Sequence, residues 1–472
     1  MKRIVILGGG VGGLSTGWML SRSGRYEVTI IENAPVVGGV CGTFRYEDYI
    51  LDYGPHKLYS VIPGILDEMK VLMRDELLHI EKISSIYMFG SFLDYPVRMS
   101  EIAVKMGIKN LVQCGLSSAG TLFRRNKTGN ATESYEDYLV NIFGRKMYEL
   151  VFKPLADKTW GDPSTLSADI ARTRIPAKNP VDLVMRAAGL RKESDTTDAA
   201  YFYYPRRGFG RIPERMAEEI VRSGGAVLTG TEPVKISGKD FTISDVQIKC
   251  NNTVRSLSCD ILISSIPLDI LVTLFEVEHG EMNDAIEAAK RLQYRSVFLV
   301  YIILDRNFVT DRHWIFFPER DVVFGRIFEQ KQMSSDMVPV DRTVLCCDIT
   351  DYEEGALRNC TDKQLAEMCV SDLVKIGIID KKWVKNSFVK RFPRFYPRYD
   401  VLYRETITEL YSALKNFDNL LLTGRIGFYN YNNCDHCVDM GKFIAENLDK
   451  GKHTREIWND LETRVREYRI VD

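Results

Sequence analysis

This sequence of 472 residues lacks any run of the roughly 18 uncharged apolar residues that a membrane-spanning helix requires. It also lacks an excess of one charge, because 63 lysines and arginines stand against 64 aspartates and glutamates, giving a formal net charge of -1. Global electrostatics therefore favour neither nucleic acid nor an anionic membrane as a partner. The chain starts directly with an apolar strand rather than with the layout of a signal peptide. These absences predict a soluble cytoplasmic protein.

The ten cysteines do not show the spacing of a disulfide framework, and the chain is long enough to bury a core without one. Cys434-Asp435-His436-Cys437 is an isolated CxxC pattern that no second ligand pair accompanies. We therefore expect no metal and reduced thiols in a loop beside a helix start, with dithiol or metal chemistry as the alternative. Asn130 opens a glycosylation sequon, which we interpret as a coincidence in a chain without a secretory route.

The first 32 residues contain the full context of a dinucleotide-binding turn. An apolar strand leads into glycines with GxGxxG spacing, and a predicted helix and a second strand ending in Glu32 follow. The glycines are Gly8, Gly10 and Gly13. The first makes the tight turn, the second lets the backbone approach a pyrophosphate, and the third lets helix and strand pack closely. The helix N-terminus offers N–H groups to the phosphates, and we expect Glu32 to accept hydrogen bonds from the adenosine ribose.

Two further segments favour FAD over NAD as the cofactor. Gly38 and Gly39 follow Glu32, and this stretch resembles the extended fingerprint of FAD enzymes of the amine oxidase and glutathione reductase kind. Far along the chain, an apolar strand runs into Gly424 and Arg425, as in the strand that returns to the flavin end of FAD. A cofactor held by both ends of the chain implies a discontinuous FAD-binding domain.

We predict an α/β fold in which a discontinuous, Rossmann-like FAD-binding domain carries a helical substrate domain and an antiparallel sheet over the flavin. The predicted boundaries are 1–60, 205–275 and 405–452 for the FAD-binding domain, 61–204 for the helical domain, 276–404 for the sheet domain and 453–472 for a charged helical tail. Helices are expected at 63–69, at 134–139 behind a Ser134 cap, at 213–223 and from 441 onward. Strands are expected at 226–229 and 260–265, in a ribbon between them, and at 297–304, 314–329 and 343–350. Residues 192–199 are polar and predict a loop.

Beyond these patterns, the chain resembles the UDP-galactopyranose mutase branch of the FAD-dependent amine oxidase superfamily, and in particular its protoporphyrinogen oxidase-like subfamily. The resemblance covers nearly the whole chain in order. Its motifs include Asp52-Tyr53-Gly54-Pro55-His56, Leu93-Asp94-Tyr95-Pro96, Phe143-Gly144-Arg145, Lys158-Thr159-Trp160-Gly161, Arg174-Ile175-Pro176, Tyr204-Pro205, Gly325-Arg326, Tyr396-Pro397, Gly424-Arg425 and Tyr431-Asn432-Asn433.

The resemblance implies roles for individual residues. His56 matches the histidine beside the flavin ring, and Arg174 and Arg326 match the pair that holds the nucleoside diphosphate, for which a guanidinium supplies two parallel donors. The residues expected to bind substrate are Trp160, Arg174, Arg326, Tyr396 and Tyr431. The residues expected to bind FAD are Gly8, Gly10, Gly13, Glu32, Gly38, Gly39, Val234, Gly424, Arg425 and Asp435.

The chain departs from the mutase pattern at two positions. Tyr59 replaces a second histidine of the flavin turn, and Gly325 replaces an aromatic residue before the second arginine. No residues match those that grip uracil in the mutases. The diphosphate half of the site is therefore better supported than the nucleobase half.

Three functions follow as hypotheses. The first is ring isomerisation of a nucleotide-linked sugar through reduced FAD with no net redox change, with NAD(P)H as one candidate reductant. The second is an FAD oxidoreductase that desaturates an amine, a porphyrinogen or an isoprenoid, which predicts an apolar cavity without converging arginines. The third is a protein in which FAD only stabilises the fold.

Overall fold

A sheet of five parallel strands carries the glycine turn. The computed structural model of the chain describes residues 1–95, 97, 99–122, 132–174, 200–276, 280–352 and 355–470. The last four of the six residues in the central strand are apolar and buried, as expected for a parallel strand covered on both faces. The strands, in spatial order, are Leu420–Leu422, Ile261–Ser264, Lys2–Leu7, Tyr26–Ile31 and Ala226–Leu228. Strands from all three predicted stretches of the FAD-binding domain thus join one sheet, in the discontinuous arrangement that the sequence predicts.

The helix Val11–Ser21 follows the glycine turn and is buried along its whole length. It packs between the helices Arg211–Arg222 and Cys434–Asp449. At Gly441 the backbones are so close that a Cβ would lie 2.7 Å from the backbone nitrogen of Thr16. The helix Cys434–Asp449 begins at Cys434 rather than at the expected residue 441, because Asn433 and His436 form a capping box at its N-terminus.

A second sheet of seven strands mixes segments that are distant in sequence. Its strands, in spatial order, are Val384–Arg398, Gln293–Leu304, Thr343–Tyr352, Arg326–Glu329, Trp314–Phe316, Ser84–Met88 and Ser91–Asp94. The predicted strand at 314–329 is two short strands with a connection between them. The sequence analysis missed the edge strand Val384–Arg398, whose Pro393 argues against a central strand but is tolerated at an edge.

Residues 61–204 are less helical than predicted. The strands Ser84–Met88 and Ser91–Asp94 extend the seven-stranded sheet, and Leu77–Glu81 pairs with Tyr201–Pro205. Ser84–Met88 and Ser91–Asp94 form a local hairpin that the sequence analysis missed. The pairings of Ser84–Met88 with Trp314–Phe316 and of Leu77–Glu81 with Tyr201–Pro205 join positions far apart in the chain, so local periodicity does not indicate them. The domain boundaries given above stay a prediction.

Other local predictions are confirmed. Ser134 Oγ accepts a hydrogen bond from the Asp137 amide at 3.0 Å at the start of the helix Tyr135–Phe143. The strands Thr231–Lys239, Thr242–Cys250 and Thr253–Ser258 form the antiparallel ribbon.

The remaining α-helices of four residues or more in the described ranges are Ile65–Met73, Met99–Met106, Ile108–Leu122, Lys153–Thr159, Asp169–Arg174, Leu268–Thr273, Gly280–Ala289, Gln330–Met333, Asp362–Ile376, Tyr403–Leu414 and Thr454–Arg466. The loop at 192–199, the sequon at Asn130, and Pro96, Ile175 and Pro176 lie outside the described residues. Within the described ranges, no helix has both the length and the apolar character to cross a membrane.

Asp52 links the start of the flavin turn to the seven-stranded sheet. Its carboxylate is buried and accepts hydrogen bonds from the Thr43 hydroxyl, the Tyr204 hydroxyl and the Phe209 amide. The Asp52 carbonyl accepts from the Tyr301 hydroxyl at 2.6 Å. Burial raises the pKa of Asp52 to about 6, although these hydrogen bonds act in the opposite direction.

We predict that Asp52→Asn removes a pH dependence of stability. The raised pKa means that the folded chain binds more protons than the unfolded chain between about pH 4 and pH 6, so the contribution of Asp52 to stability falls as pH rises through 6. Between about pH 5 and about pH 7.5, the free energy of unfolding of the parent should fall relative to Asp52→Asn by on the order of 1.5 kcal/mol. The measurement is urea unfolding with saturating FAD, with the exposed Asp67→Asn as control. Parallel pH profiles for the parent and Asp52→Asn would contradict the assignment.

Candidate active site

The glycine turn has the geometry of a pyrophosphate cradle. A Cβ on Gly13 would lie 2.0 Å from the carbonyl oxygen of Gly8, so glycine is required for the close packing of strand and helix. A Cβ on Gly10 would meet no protein atom within 4 Å. The backbone at Gly10 is therefore bare toward open space at the N-terminus of the helix Val11–Ser21, where N–H groups favour an anion. A pyrophosphate fits this position.

The second glycine pair and the acidic residue lie against this turn. The Gly38 amide donates to the Gly9 carbonyl at 2.8 Å, and a Cβ on Gly39 would lie 3.5 Å from the Gly10 Cα. The Glu32 carboxylate accepts hydrogen bonds from the Gly9 and Ala34 amides at 2.6 and 2.7 Å. These bonds fix Glu32 at the end of its strand, where a ribose would be reached. Val234 lies in the adjoining ribbon at a β-bulge, where the strand register passes from Pro233 to Lys235.

Seven of the residues predicted from the sequence line one cavity beyond this cradle. It lies between the return turn after the strand Leu420–Leu422 and the seven-stranded sheet. The seven residues are His56, Arg174, Arg326, Tyr396, Arg425, Tyr431 and Asp435. The structure therefore brings together three arginines and two tyrosines from four separate parts of the chain.

Arg174 is held between two aromatic rings. Its guanidinium carbon lies 5.0 Å from the centre of the Trp160 ring and 5.2 Å from that of Tyr431. Trp160 thus lies behind the arginine and orients it through a cation–π contact. The Arg174 Nε is buried without a hydrogen-bond partner, and so is the Tyr431 hydroxyl. Two polar groups at one end of the cavity therefore lack partners, and an anion would supply acceptors for both.

Arg326 is held differently, by a carboxylate. Its Nε and Nη2 donate to one oxygen of Asp348 at 3.1 and 2.5 Å, and the two residues face each other in neighbouring strands. The second Asp348 oxygen is buried without a partner. One carboxylate oxygen thus takes two of the five donors of Arg326, while the others extend the positive charge of the cavity.

His56 lies in the turn after Gly54 and packs on Phe209, with ring centres 5.0 Å apart. Its Nε2 is 2.8 Å from the Val40 carbonyl oxygen and 3.2 Å from the Tyr53 carbonyl oxygen, so this nitrogen carries the proton. Burial, assisted by the positive charge of Arg425, lowers the pKa of His56 to about 4. At neutral pH the imidazole is therefore uncharged, and Nδ1 is its unprotonated nitrogen.

The return turn closes the cavity. Gly424 approaches the first helix so closely that a Cβ on Gly12 would lie 2.5 Å from the Gly424 Cα. Arg425 follows and donates from Nε to the Asn432 carbonyl at 2.7 Å, while its guanidinium lies 5.5 Å from the Tyr396 ring centre. Asp435 is buried in the first turn of the helix Cys434–Asp449 and lines the same cavity.

The cysteines beside this turn do not form a dithiol loop. Cys434 and Cys437 lie inside the first turn of the helix Cys434–Asp449 rather than in a loop, and both are buried. All ten cysteines are free thiols, and burial raises the pKa of Cys41, which also lines the cavity, to about 11. Among the described residues no cluster of His, Cys, Asp and Glu has the geometry to hold a metal.

Two buried charged residues that do not line the cavity themselves were missed by the sequence analysis. Asp348 is an acid within the apolar strand Thr343–Tyr352, and this interruption was a usable signal. Arg295 is 2% exposed with its Nε and Nη1 unpartnered, and it stacks on Tyr352 with 4.3 Å between its guanidinium and the ring centre. Arg295 lies near the start of the strand Gln293–Leu304, and the sequence gave no comparable signal for it.

Comparison with known proteins agrees with this geometry. Residues 6–69 match the NAD(P)-binding Rossmann-like domain, and residues 111–427 match the flavin containing amine oxidoreductase family. The chain belongs to the flavin containing amine oxidoreductase family. FAD is accordingly its cofactor, and the glycine cradle, Glu32 and the return turn fit that group.

The known proteins that this chain resembles carry names of different activities. The fold is similar to that of a reduced UDP-galactopyranose mutase, with a TM-score of 0.84, 18% identity and full coverage of both chains. It is also similar to a protein assigned as a protoporphyrinogen oxidase from Exiguobacterium sp. 255-15, with a TM-score of 0.71, 18% identity and coverage of 96% and 99%. These likenesses establish the fold.

Among curated sequences, coproporphyrinogen III oxidase of Bacillus subtilis (strain 168) is 19% identical over 93% of this chain and 96% of that protein. An L-amino-acid oxidase of Sistrurus catenatus edwardsii is 42% identical over 57 residues, and a phytoene desaturase of Cercospora nicotianae 39% over 61. The chain spans only 11% and 9% of the length of these last two relatives.

We predict that Gly10→Ala separates FAD binding from folding. The added methyl meets no protein atom, and the backbone at residue 10 is extended with a φ of -76°, so the apoprotein should fold with unchanged secondary structure. The methyl would occupy the space of the pyrophosphate, and FAD affinity should fall about tenfold or more. Flavin fluorescence and circular dichroism measure the two effects.

Gly115→Ala is the matched control, because its methyl also meets no protein atom within 4 Å but lies far from the cradle in sequence. Gly13→Ala should instead impair folding, since its Cβ would clash with the Gly8 carbonyl. Full FAD occupancy in purified Gly10→Ala would show that the pyrophosphate lies elsewhere.

Proposed function

We propose that this flavoenzyme isomerises the ring of a nucleotide-linked sugar in the cytoplasm, with no net redox change. The observation that carries the proposal is the buried, aromatic-clamped Arg174, whose Nε lacks a partner beside the equally unpartnered Tyr431 hydroxyl. An oxidoreductase for an apolar substrate would have no use for such a group, because an unpaired buried donor costs free energy. Ten free cysteines agree with a reducing compartment.

In this mechanism the protein binds and orients the substrate. Arg174 and Arg326 would hold the diphosphate and stabilise the charge that develops on it as it leaves the sugar. Bound FAD in its reduced form would supply an electron pair for displacement of the nucleoside diphosphate, and NAD(P)H is a candidate source of that reduction. Trp160 would fix Arg174 from behind, while Tyr396 and Tyr431 line the cavity and would present ring faces to the sugar. No side chain is required as the nucleophile.

His56 would act by position rather than by proton transfer. Its Nε2–H is committed to the Val40 carbonyl, and its lowered pKa keeps it neutral. It therefore adds no positive charge beside Arg425 and leaves the diphosphate charge to the arginines. We assign it the role of holding the turn against the flavin ring.

A second candidate function is oxidation of a porphyrinogen. It is supported by the end-to-end similarity to coproporphyrinogen III oxidase. The carboxylate side chains of such a substrate would also pair with Arg174 and Arg326. The two candidates differ in the fate of the electrons, because only the oxidation consumes an oxidant.

The test of the proposal uses the purified holoenzyme. After reduction with dithionite under nitrogen, it is incubated with a panel of UDP-, GDP- and dTDP-sugars, and the ring form is followed by chromatography. Ring isomerisation that requires the reduced enzyme supports the proposal and names the sugar. Absence of isomerisation, together with reduction of the flavin by a porphyrinogen in a separate sample of oxidised holoenzyme, would move the chain to the oxidoreductases.

We predict that Arg174→Ala and Arg326→Ala each weaken UDP or GDP binding by about 1.5–3 kcal/mol, the range for a hydrogen bond to a charged group. FAD content should not change, because neither residue lies in the glycine cradle. Calorimetric titration of the nucleotides into the holoenzyme measures the loss. The exposed Arg222→Ala is the control.

Removal of Arg326 leaves Asp348 buried without its partner, so an Arg326→Ala/Asp348→Ala variant separates lost binding from lost stability. Binding of UDP and GDP by both single variants at the affinity of the parent would refute the diphosphate assignment.

A further inference from the structure

The helix Ile108–Leu122 turns its apolar face away from the protein. Ile108 is 83% exposed, Leu116 72% and Val112 55%. At about 100° per residue these three share one side of the helix with Leu111, Gly115 and Ala119, in an arc of about 140°. Val104, at the end of the preceding helix Met99–Met106, is 78% exposed. A surface helix normally buries such an arc.

The remainder of this helix docks on the protein through the buried Cys114, which packs with Ile102 and Met106, and through two serines. Ser118 Oγ donates to the Phe143 carbonyl at 2.6 Å, and Ser117 Oγ accepts from the Lys146 amide at 3.2 Å. A Cβ on Gly144 would lie 2.8 Å from the helix backbone at Ser117, so the contact is close. These contacts fix the rotation of the helix, and the apolar arc cannot turn inward without breaking them.

The exposed charged side chains beside the arc are lysines, and the half-buried Glu101 lies on the preceding helix. The helix Ile108–Leu122 contains no acidic residue, and its one charged residue, Lys109, is exposed at the edge of the arc. Lys105 is exposed beside Val104 on the preceding helix. The surface therefore combines apolar side chains with lysines, whereas the whole chain has a net charge of only -1.

A second copy of the chain fits this surface less well than a membrane does. A helix of 15 residues is about 22 Å long and about 10 Å wide, which gives about 220 Å² per copy. A stable dimer buries about 1,200–2,000 Å² in total. Binding to a bilayer has no such minimum, since it depends on the apolar area inserted and on attraction to anionic lipid.

We propose that the outer face of this helix, formed by Ile108, Leu111, Val112 and Leu116 and flanked by Lys105 and Lys109, binds the surface of an anionic lipid bilayer. The helix would lie in the plane of the interface with its apolar arc among the acyl chains. The inference does not rest on the identity of the substrate.

The experiment is co-sedimentation of the holoenzyme with phosphatidylcholine vesicles and with vesicles that contain phosphatidylglycerol as a third of their lipid. We expect binding to the anionic vesicles, weakened by salt. Val112→Ser/Leu116→Ser should reduce the bound fraction about tenfold or more, and Lys105→Glu/Lys109→Glu should reduce it for anionic vesicles only. Val71→Ser/Val340→Ser is the matched control, since Val71 and Val340 are 72% and 81% exposed elsewhere.

A holoenzyme that stays in the supernatant with both vesicle types would overturn the proposal. So would equal binding by the parent and Val112→Ser/Leu116→Ser. Analytical ultracentrifugation without lipid provides the third arm: a dimer that Leu116→Ser converts to a monomer would assign the face to a second copy instead.

Discussion

The structure depends on one junction, in which two close contacts join backbone segments that lie more than 400 residues apart in sequence. Gly12 meets Gly424, and Gly441 meets Thr16, at distances that leave no room for a Cβ. The helix Val11–Ser21 is thereby packed against the helix Cys434–Asp449, and the five-stranded sheet gains its outer strand Leu420–Leu422. The FAD cradle and the cavity with its arginines share this junction, so neither is complete until both ends of the chain have folded together.

Three arginines from separate parts of the chain meet in the cavity at this junction. Arg425 comes from the return turn itself, Arg174 from a helix and Arg326 from the seven-stranded sheet. Each has its own support: a carbonyl for Arg425, two aromatic rings for Arg174 and a carboxylate for Arg326. Because like charges repel, such a group is held together by its supports and would be stabilised further by an anion.

The sequence predicts the parts of the fold that local physics determines. The glycine turn, the Ser134 cap and the antiparallel ribbon each follow from residues close together in the chain. The strand Leu77–Glu81, the edge strand Val384–Arg398 and the Arg326–Asp348 pair do not, because each depends on a partner that the fold brings from elsewhere. The resemblance to the mutases identified Arg174 and Arg326, but only the structure distinguishes the unpartnered donor of the first from the carboxylate-paired second.

That difference also bears on the class of substrate. Both candidate functions supply an anion to Arg174, a diphosphate in one and carboxylates in the other. Arg425 lines the same cavity as Arg174 and Arg326, and the neutral His56 adds no further charge to them. The Asp348 carboxylate offsets the charge of Arg326 alone. Several cations would therefore attract either anion, and it is the fate of the electrons that separates the two candidates.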